Sequence, residues 1–386
     1  MRENYFIDFL RFIFSLCILF YHSWIFAGTF GNGILNHGYL AVDFYFIVTG
    51  YLMINSSRKN KSNDATILKD SFIFIYKKIK NIFPALLVTF LFGVLLVYGK
   101  NIIFSPSILL SNTLLPELLQ LSILGYDLTV NSSWWYISAM LLVLALLYPI
   151  AKKYNDDYSR YIAPLIIIFT LGFINMHAIN INDPVRIDYF LRNGFYKALI
   201  FIPLGNISYI VTKKIKEMDF KKYTLIVLSI IEILLYTILI LNMHYFFMGT
   251  FLFALLLMLN ISLTFSGITF LSKIFKNNIW KKLGNYGFYI FLCNISVRTY
   301  IQRNYLNLGF SYNELLFRFI INSCLLALIL YIIVEIIYMK FILKKISDYR
   351  KRKWKKYFNI VYFFFTFLIM LYIILAIIKE EYYGSF

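Results

Sequence analysis

The sequence predicts an all-α protein: a polytopic transmembrane helix bundle of about 10–11 spans with a cytoplasmic N-terminus. Three observations predict it. The 386 residues are 60% hydrophobic and 20% aromatic, with a mean hydropathy of +0.71, whereas soluble domains are about 45–50% apolar. Apolar segments long enough to cross a hydrocarbon core of about 30 Å recur along the chain. Lys and Arg concentrate in alternate connecting segments, the bias expected of cytoplasmic loops.

The first segment, Phe6 to Ala27, reads FIDFLRFIFSLCILFYHSWIFA and gives about 33 Å of helix at about 1.5 Å per residue. It carries Asp8, Arg11 and His22, and ionisable groups are costly in lipid. Arg11 and His22 fall within roughly 20° of one face, about 16 Å apart along the axis. Asp8 precedes Arg11 by three residues, where the two pair on a helix surface. The three therefore form one polar stripe that must face a protein interior or a wet cavity. Asp8 and Arg11 also interrupt what a signal peptide would keep apolar.

Further spans are expected near 39–56, 82–99, 134–151, 161–179, 195–211, 223–242, 246–265, 284–301, 314–339 and 357–378. With the N-terminus inside, cytoplasmic segments hold 29 of the 38 Lys and Arg. Outer segments hold six (Lys100, Arg186, Arg192, Lys197, Arg303 and Lys379), and Arg11, Arg298 and Arg318 lie within spans. The alternation holds across every expected crossing. The formal charge of +19 is thus topological, with anionic lipid heads as its partner and nucleic acid excluded. Cys17, Cys293 and Cys324 each sit in an apolar run without ligand spacing, so buried inert thiols are expected rather than disulfides or a metal site. Residues 1–340 form the expected membrane domain. Residues 341–386 add a basic cytoplasmic loop and an extra transmembrane helix. The apolar stretch 100–133 is expected to form interfacial or re-entrant helices on the outer side.

The second span, GYLAVDFYFIVTGYLM, enters from outside and brings Asp43 to the depth of His22. A carboxylate beside an imidazole orients its tautomer and raises its basicity, as a general base requires. The plainer reading has Asp43 capping the helix start. Lys77, Lys78 and Lys80 precede Pro84 at the cytoplasmic mouth of the third span. Topology alone places lysines there, and so does an anion site for phosphates. Trp134 and Trp135 open the fourth span, as interfacial anchors or as a platform for a sugar ring. Arg192 lies in the outer segment RIDYFLRNG, as a solvated charge or an acceptor contact.

These motifs together resemble the integral-membrane acyltransferase 3 family, whose members O-acylate surface and secreted glycans. Asp8, Arg11 and His22 match the spacing of the family's opening. AVDFYFIVTGYL, with Asp43, Thr49 and Gly50, resembles its second-span motif, and Lys77, Lys78 and Lys80 before Pro84 resemble its basic pair before a proline. WWYISAMLL at 134–142, Arg192 to Gly205, and LGNYGFYIFLCN at 283–294 resemble later motifs. The chain departs from the pattern with Asn294 in place of His, Met140 in place of Glu, and no proline after Glu335.

The resemblance implies a membrane O-acyltransferase, most simply an acetyltransferase, in the plasma membrane of a bacterial cell. It implies a cytoplasmic acyl-CoA donor, acetyl-CoA, and a glycan acceptor, free or lipid-linked, reached from outside. His22 would be the catalytic base, with Asp43 and Arg11 in the catalytic set. Arg11, Lys77, Lys78 and Lys80 would hold the donor phosphates, Trp135 and Arg192 would contact the acceptor, and no metal is called for. The rival readings are a transporter or flippase of a lipid-linked glycan or small anion, with no chemistry at His22, and a glycan polymerase or ligase.

Overall fold

A computed structural model describes residues 4–27, 35, 37–58, 66–99, 113–241, 243 and 250–336. All regular structure among them is helical. The expected span at 357–378 lies outside the described residues. The chain divides into a unit spanning Met1–Tyr331 and a second, Ile332–Phe386. The first unit holds the helix bundle.

Helix α1 (Tyr5–Tyr21) is capped by Asn4, whose side chain accepts from the N–H groups of Phe6 and Ile7, and it continues as a 3-10 turn, His22–Ala27. A short turn, Gly38–Leu40, leads into α2 (Ala41–Ser57). Helix α3 (Ile67–Tyr98) is followed by the short α4 (Leu114–Leu118), α5 (Trp135–Asp157) and α6 (Ala163–Met176). Then come α7 (Asn193–Glu217), α8 (Lys222–Leu241), α9 (Thr250–Ser266), the short α10 (Leu271–Ile274), α11 (Ile279–Tyr305) and α12 (Tyr312–Tyr331).

Among the described residues, seven helical stretches are long and apolar enough to cross a membrane by themselves. One of them, Ser132–Met176, has 45 residues, about twice what one crossing needs. It is broken at Asn155, whose φ of 48° no helix interior accommodates, and by the π-turn Tyr158–Ile162, so α5 and α6 are separate helices. Helix α9 falls short by length, and α11 by its polar residues. With these counted, helices occupy the positions of the first ten expected spans.

The largest boundary error is α3, which starts at Ile67 rather than near 82. Lys77, Lys78 and Lys80 therefore ride on a helix and do not form a loop, and Pro84 sits inside it. The lysines are compatible with a helix because their long stems let the charges leave an apolar surface.

Helix α1 packs most extensively on α11, and α2 on α7. The second contact depends on Gly50 and Gly205. A Cβ on Gly50 would strike the Ile202 carbonyl, and one on Gly205 the Ile47 carbonyl, so the two backbones touch as small residues permit between membrane helices. Helices α6, α8 and α12 lie outermost. Ile168, Phe169, Leu234, Ile238, Phe317 and Leu325 are exposed on them, an apolar surface far larger than a soluble protein presents. The molecule is an integral membrane protein.

Candidate active site

On α1 and the first residue of the 3-10 turn that continues it, the residues spaced to share one face are Arg11, Ser15, Ile18 and His22, and all four line cavities. Arg11 and Ser15 line one of about 500 Å³, together with Asp8, Lys78, Tyr45 and Lys281. Ile18 and His22 line a second of about 470 Å³, together with Trp135, Asp183 and Arg298. The polar stripe expected from the sequence therefore faces inward, divided between two chambers. The change from one chamber to the other takes place between Ser15 and Ile18, about 4.5 Å of helix. Val42 and Phe291 border both chambers and are almost fully buried.

In the first chamber Asp8 Oδ1 pairs with Arg11 Nη1 at 3.1 Å. The Arg11 carbonyl accepts from Tyr45 Oη at 2.5 Å, and Tyr45 Oη also lies 2.7 Å from Ser15 Oγ. These contacts tie α1 to α2 beside the wall and hold Tyr45 against the chamber. In the second chamber His22 Nδ1 is buried and has no hydrogen-bond partner among the described residues, and neither does Arg298 Nε. The two side chains line the same cavity, so a guanidinium shares it with the imidazole. Phe291 and Arg298 are seven residues apart on α11, hence on one face, and this face carries both the wall and the cation beside His22.

Asp43 does not play the part expected of it. Its carboxylate is fully buried and pairs with Lys197 Nζ at 2.9 Å, not with His22. Nor does it cap α2, which has no side-chain cap. Lys197, counted by charge among the outer segments, lies within α7 and is 1% exposed. Its ammonium sits over the Tyr39 and Phe201 rings at 5.4 and 5.6 Å. The sequence carries the signal for this: the span expected at 195–211 already includes Lys197, and α7 begins at Asn193, a full helical turn before the lysine.

A family model for an acyltransferase domain, that of the acyltransferase 3 group, matches residues 4–339. The chain belongs to the acyltransferase 3 family. No curated protein matches it, and no solved structure does.

Of the three lysines expected at the donor site of this acyltransferase, the structure brings only Lys78 to the Arg11 chamber. Lys77 and Lys80 are exposed on other faces of α3. On a helix, residues 77 and 80 point about 100° and 160° away from residue 78, so a single chamber cannot take all three. Lys281, read from sequence only as part of the inner charge bias, lines the same chamber. Arg11 lines the chamber of these cations and not the one that His22 lines.

Trp135 lines the His22 chamber, and Trp134 is fully buried with its indole N–H donating to the Leu292 carbonyl at 3.2 Å. Neither is an interfacial anchor. The approach to Trp135 is set by Glu117, whose carboxylate accepts from three successive backbone N–H groups, those of Thr129, Val130 and Asn131, at 2.6–3.1 Å. Such a nest fixes the turn that delivers Ser132, Ser133 and Trp135 to the chamber.

Arg192 is not a solvated charge. It is buried, with Nε donating to the Ser122 carbonyl at 2.7 Å, Nη2 to the Gly125 and Tyr126 carbonyls at 3.3 and 2.9 Å, and Nη1 to the Val185 carbonyl. Four of its five N–H donors are thereby committed. The guanidinium laces segment 122–126 to segment 183–185, which borders the His22 chamber. Arg192→Ala is expected to cost about 3–5 kcal/mol through four orphaned carbonyls and a lost buried cation. Thermal unfolding in detergent checks this, and Arg192→Lys should recover only part because an ammonium cannot span the fork. Among the described residues no cluster of three or more His, Cys, Asp or Glu is placed to hold a metal ion.

Proposed function

We propose that the protein is a membrane O-acyltransferase carrying an acyl group, acetyl in the simplest case, from cytoplasmic acyl-CoA to a hydroxyl of a cell-surface or exported polysaccharide. The observation that carries this reading is the pair of chambers along α1, one cationic and one holding an imidazole, whose linings share Val42 and Phe291. The donor's phosphates are assigned to Arg11, Lys78 and Lys281, since several cations converging on one cavity suit a polyanion. A pantetheine arm of about 15–20 Å matches the distance of about 16 Å from Arg11 to His22. The acceptor is assigned to the His22 chamber, with Trp135 as the wall against which a sugar ring packs and Asp183 as a hydrogen-bond acceptor at its edge. The membrane would be the plasma membrane of a bacterial cell, with the Arg11 chamber on the cytoplasmic side as the distribution of Lys and Arg implies.

In this reading His22 takes the proton of the acceptor hydroxyl as its oxygen attacks the thioester carbonyl carbon. A tetrahedral intermediate forms, and its oxyanion is stabilised by Arg298, which has an uncommitted donor in the same chamber. The carbon–sulfur bond then breaks, the ester remains on the glycan, and the CoA thiolate takes the proton back from the imidazolium. The test is donor kinetics in reconstituted vesicles. Lys78→Ala and Lys281→Ala are each expected to raise KM for acetyl-CoA about 10–100-fold, the scale of one charge-assisted hydrogen bond, whereas Lys77→Ala and Lys80→Ala shift it by less than about threefold. Equal effects at all four positions would remove the Arg11 chamber from donor binding.

A further inference from the structure

The two chambers lie along the same face of α1, and their linings meet at two residues. Only Val42 of α2 and Phe291 of α11 border both. Phe291 is 5% exposed and Val42 6%. The Phe291 ring is held edge-on to Tyr136, at 5.8 Å and 86°, and tilted against Tyr45 at 6.5 Å. Tyr45 is itself fixed by the Arg11 carbonyl and Ser15 Oγ. The boundary between the chambers is therefore marked by one aromatic ring and one branched side chain, with Tyr45 beside the ring held by hydrogen bonds. On either side of it α11 presents Phe288 to the first chamber and Arg298 to the second, so Phe291 stands at the boundary.

We propose that Val42 and Phe291 form the gate through which the acylated end of the donor passes, and that the opening they leave sets which acyl chains are transferred. This inference rests on the acyltransferase reading above and adds to it a specificity determinant. A thioester threaded from the cationic chamber to His22 has to pass between these two side chains. A ring that swings aside within a wall of fixed neighbours clears a narrow slot, and each added methylene then meets Phe291 or Val42. Small acyl groups pass, and longer ones are excluded by contact. Between turnovers the same ring keeps the two chambers apart, so water from the His22 side does not reach a thioester waiting on the Arg11 side.

The experiment compares kcat/KM for acetyl-, propionyl- and butyryl-CoA, with release of free CoA measured in purified, reconstituted protein supplied with acceptor glycan. Because each comparison is a ratio within one preparation, a variant that folds in lower yield still gives an answer. Wild type is expected to favour acetyl over butyryl strongly. Phe291→Ala and Val42→Ala are expected to raise the butyryl-to-acetyl ratio by about tenfold or more, since a single methylene in an apolar site is worth about 10–200-fold. Phe291→Trp is expected to lower the propionyl-to-acetyl ratio. Ratios unchanged from wild type in all three variants, with acetyl transfer still measurable, would overturn the gate and leave the acyltransferase reading in place. Failure of wild type to transfer from any acyl-CoA would overturn the reading itself, and the gate with it.

Discussion

His22→Ala is expected to lower acyl transfer by about 10²–10⁴-fold, the usual contribution of a positioned general base. The imidazole is the one titratable base on the cavity-facing stripe of α1 at the level of the second chamber. Its Nδ1 finds no protein partner among the described residues, so that nitrogen is not spent on a structural hydrogen bond. The measurement is the acetyl-ester signal on the surface glycan of cells carrying wild type or variant at matched membrane abundance. An undiminished ester signal in the folded variant would take the chemistry away from His22 and favour the transport reading. Arg298→Gln is the companion test. If the guanidinium stabilises the oxyanion, kcat falls while KM for either substrate changes little, because the interaction exists only in the transition state.

Much of the fold was legible because apolar length and Lys/Arg bias are set by the bilayer and not by the details of packing. The positions of ten helices follow from these alone, and the inward-facing Asp8–Arg11–His22 stripe from helical period and the cost of ionisable groups in lipid. What was not legible depended on which face of a helix a residue occupies relative to neighbours distant in sequence. The Lys77–Lys80 cluster looked like one site because its charges are adjacent in the chain, but α3 runs through it and turns Lys78 away from Lys77 and Lys80. Asp43 looked like a partner for His22 because the two share a depth. Depth says nothing of azimuth, and the α2–α7 contact through Gly50 and Gly205 turns Asp43 to Lys197 instead. Arg192 looked solvated because it lies between helices, whereas the carbonyls it serves belong to turns that no helical period reveals. Lys281 and Arg298, each absorbed into a charge tally, acquire roles only when α11 is laid against α1.

The Asp43–Lys197 pair carries the second large prediction. Both side chains are essentially inaccessible, at 0% and 1%, and each charge would be strongly unfavourable alone in such surroundings. Lys197→Met leaves a carboxylate with no cation 2.9 Å away and is expected to cost about 3–5 kcal/mol, and Asp43→Leu about as much. Each single variant strands one buried charge, so the losses should not add. The double variant Asp43→Leu/Lys197→Met removes both charges and is expected to regain most of the stability, because an apolar pair of similar volume often matches a buried ion pair. Thermal unfolding of the four proteins in one detergent gives the coupling. Additive losses would mean that each residue acts through separate contacts, with the ion pair incidental. Activity separates structure from chemistry further. If Asp43 served the imidazole of His22, the double variant would be stable yet as slow as His22→Ala. With Lys197 as its partner, the stable double variant should retain most of its turnover, since the pair joins α2 to α7 and leaves the His22 chamber lined as before.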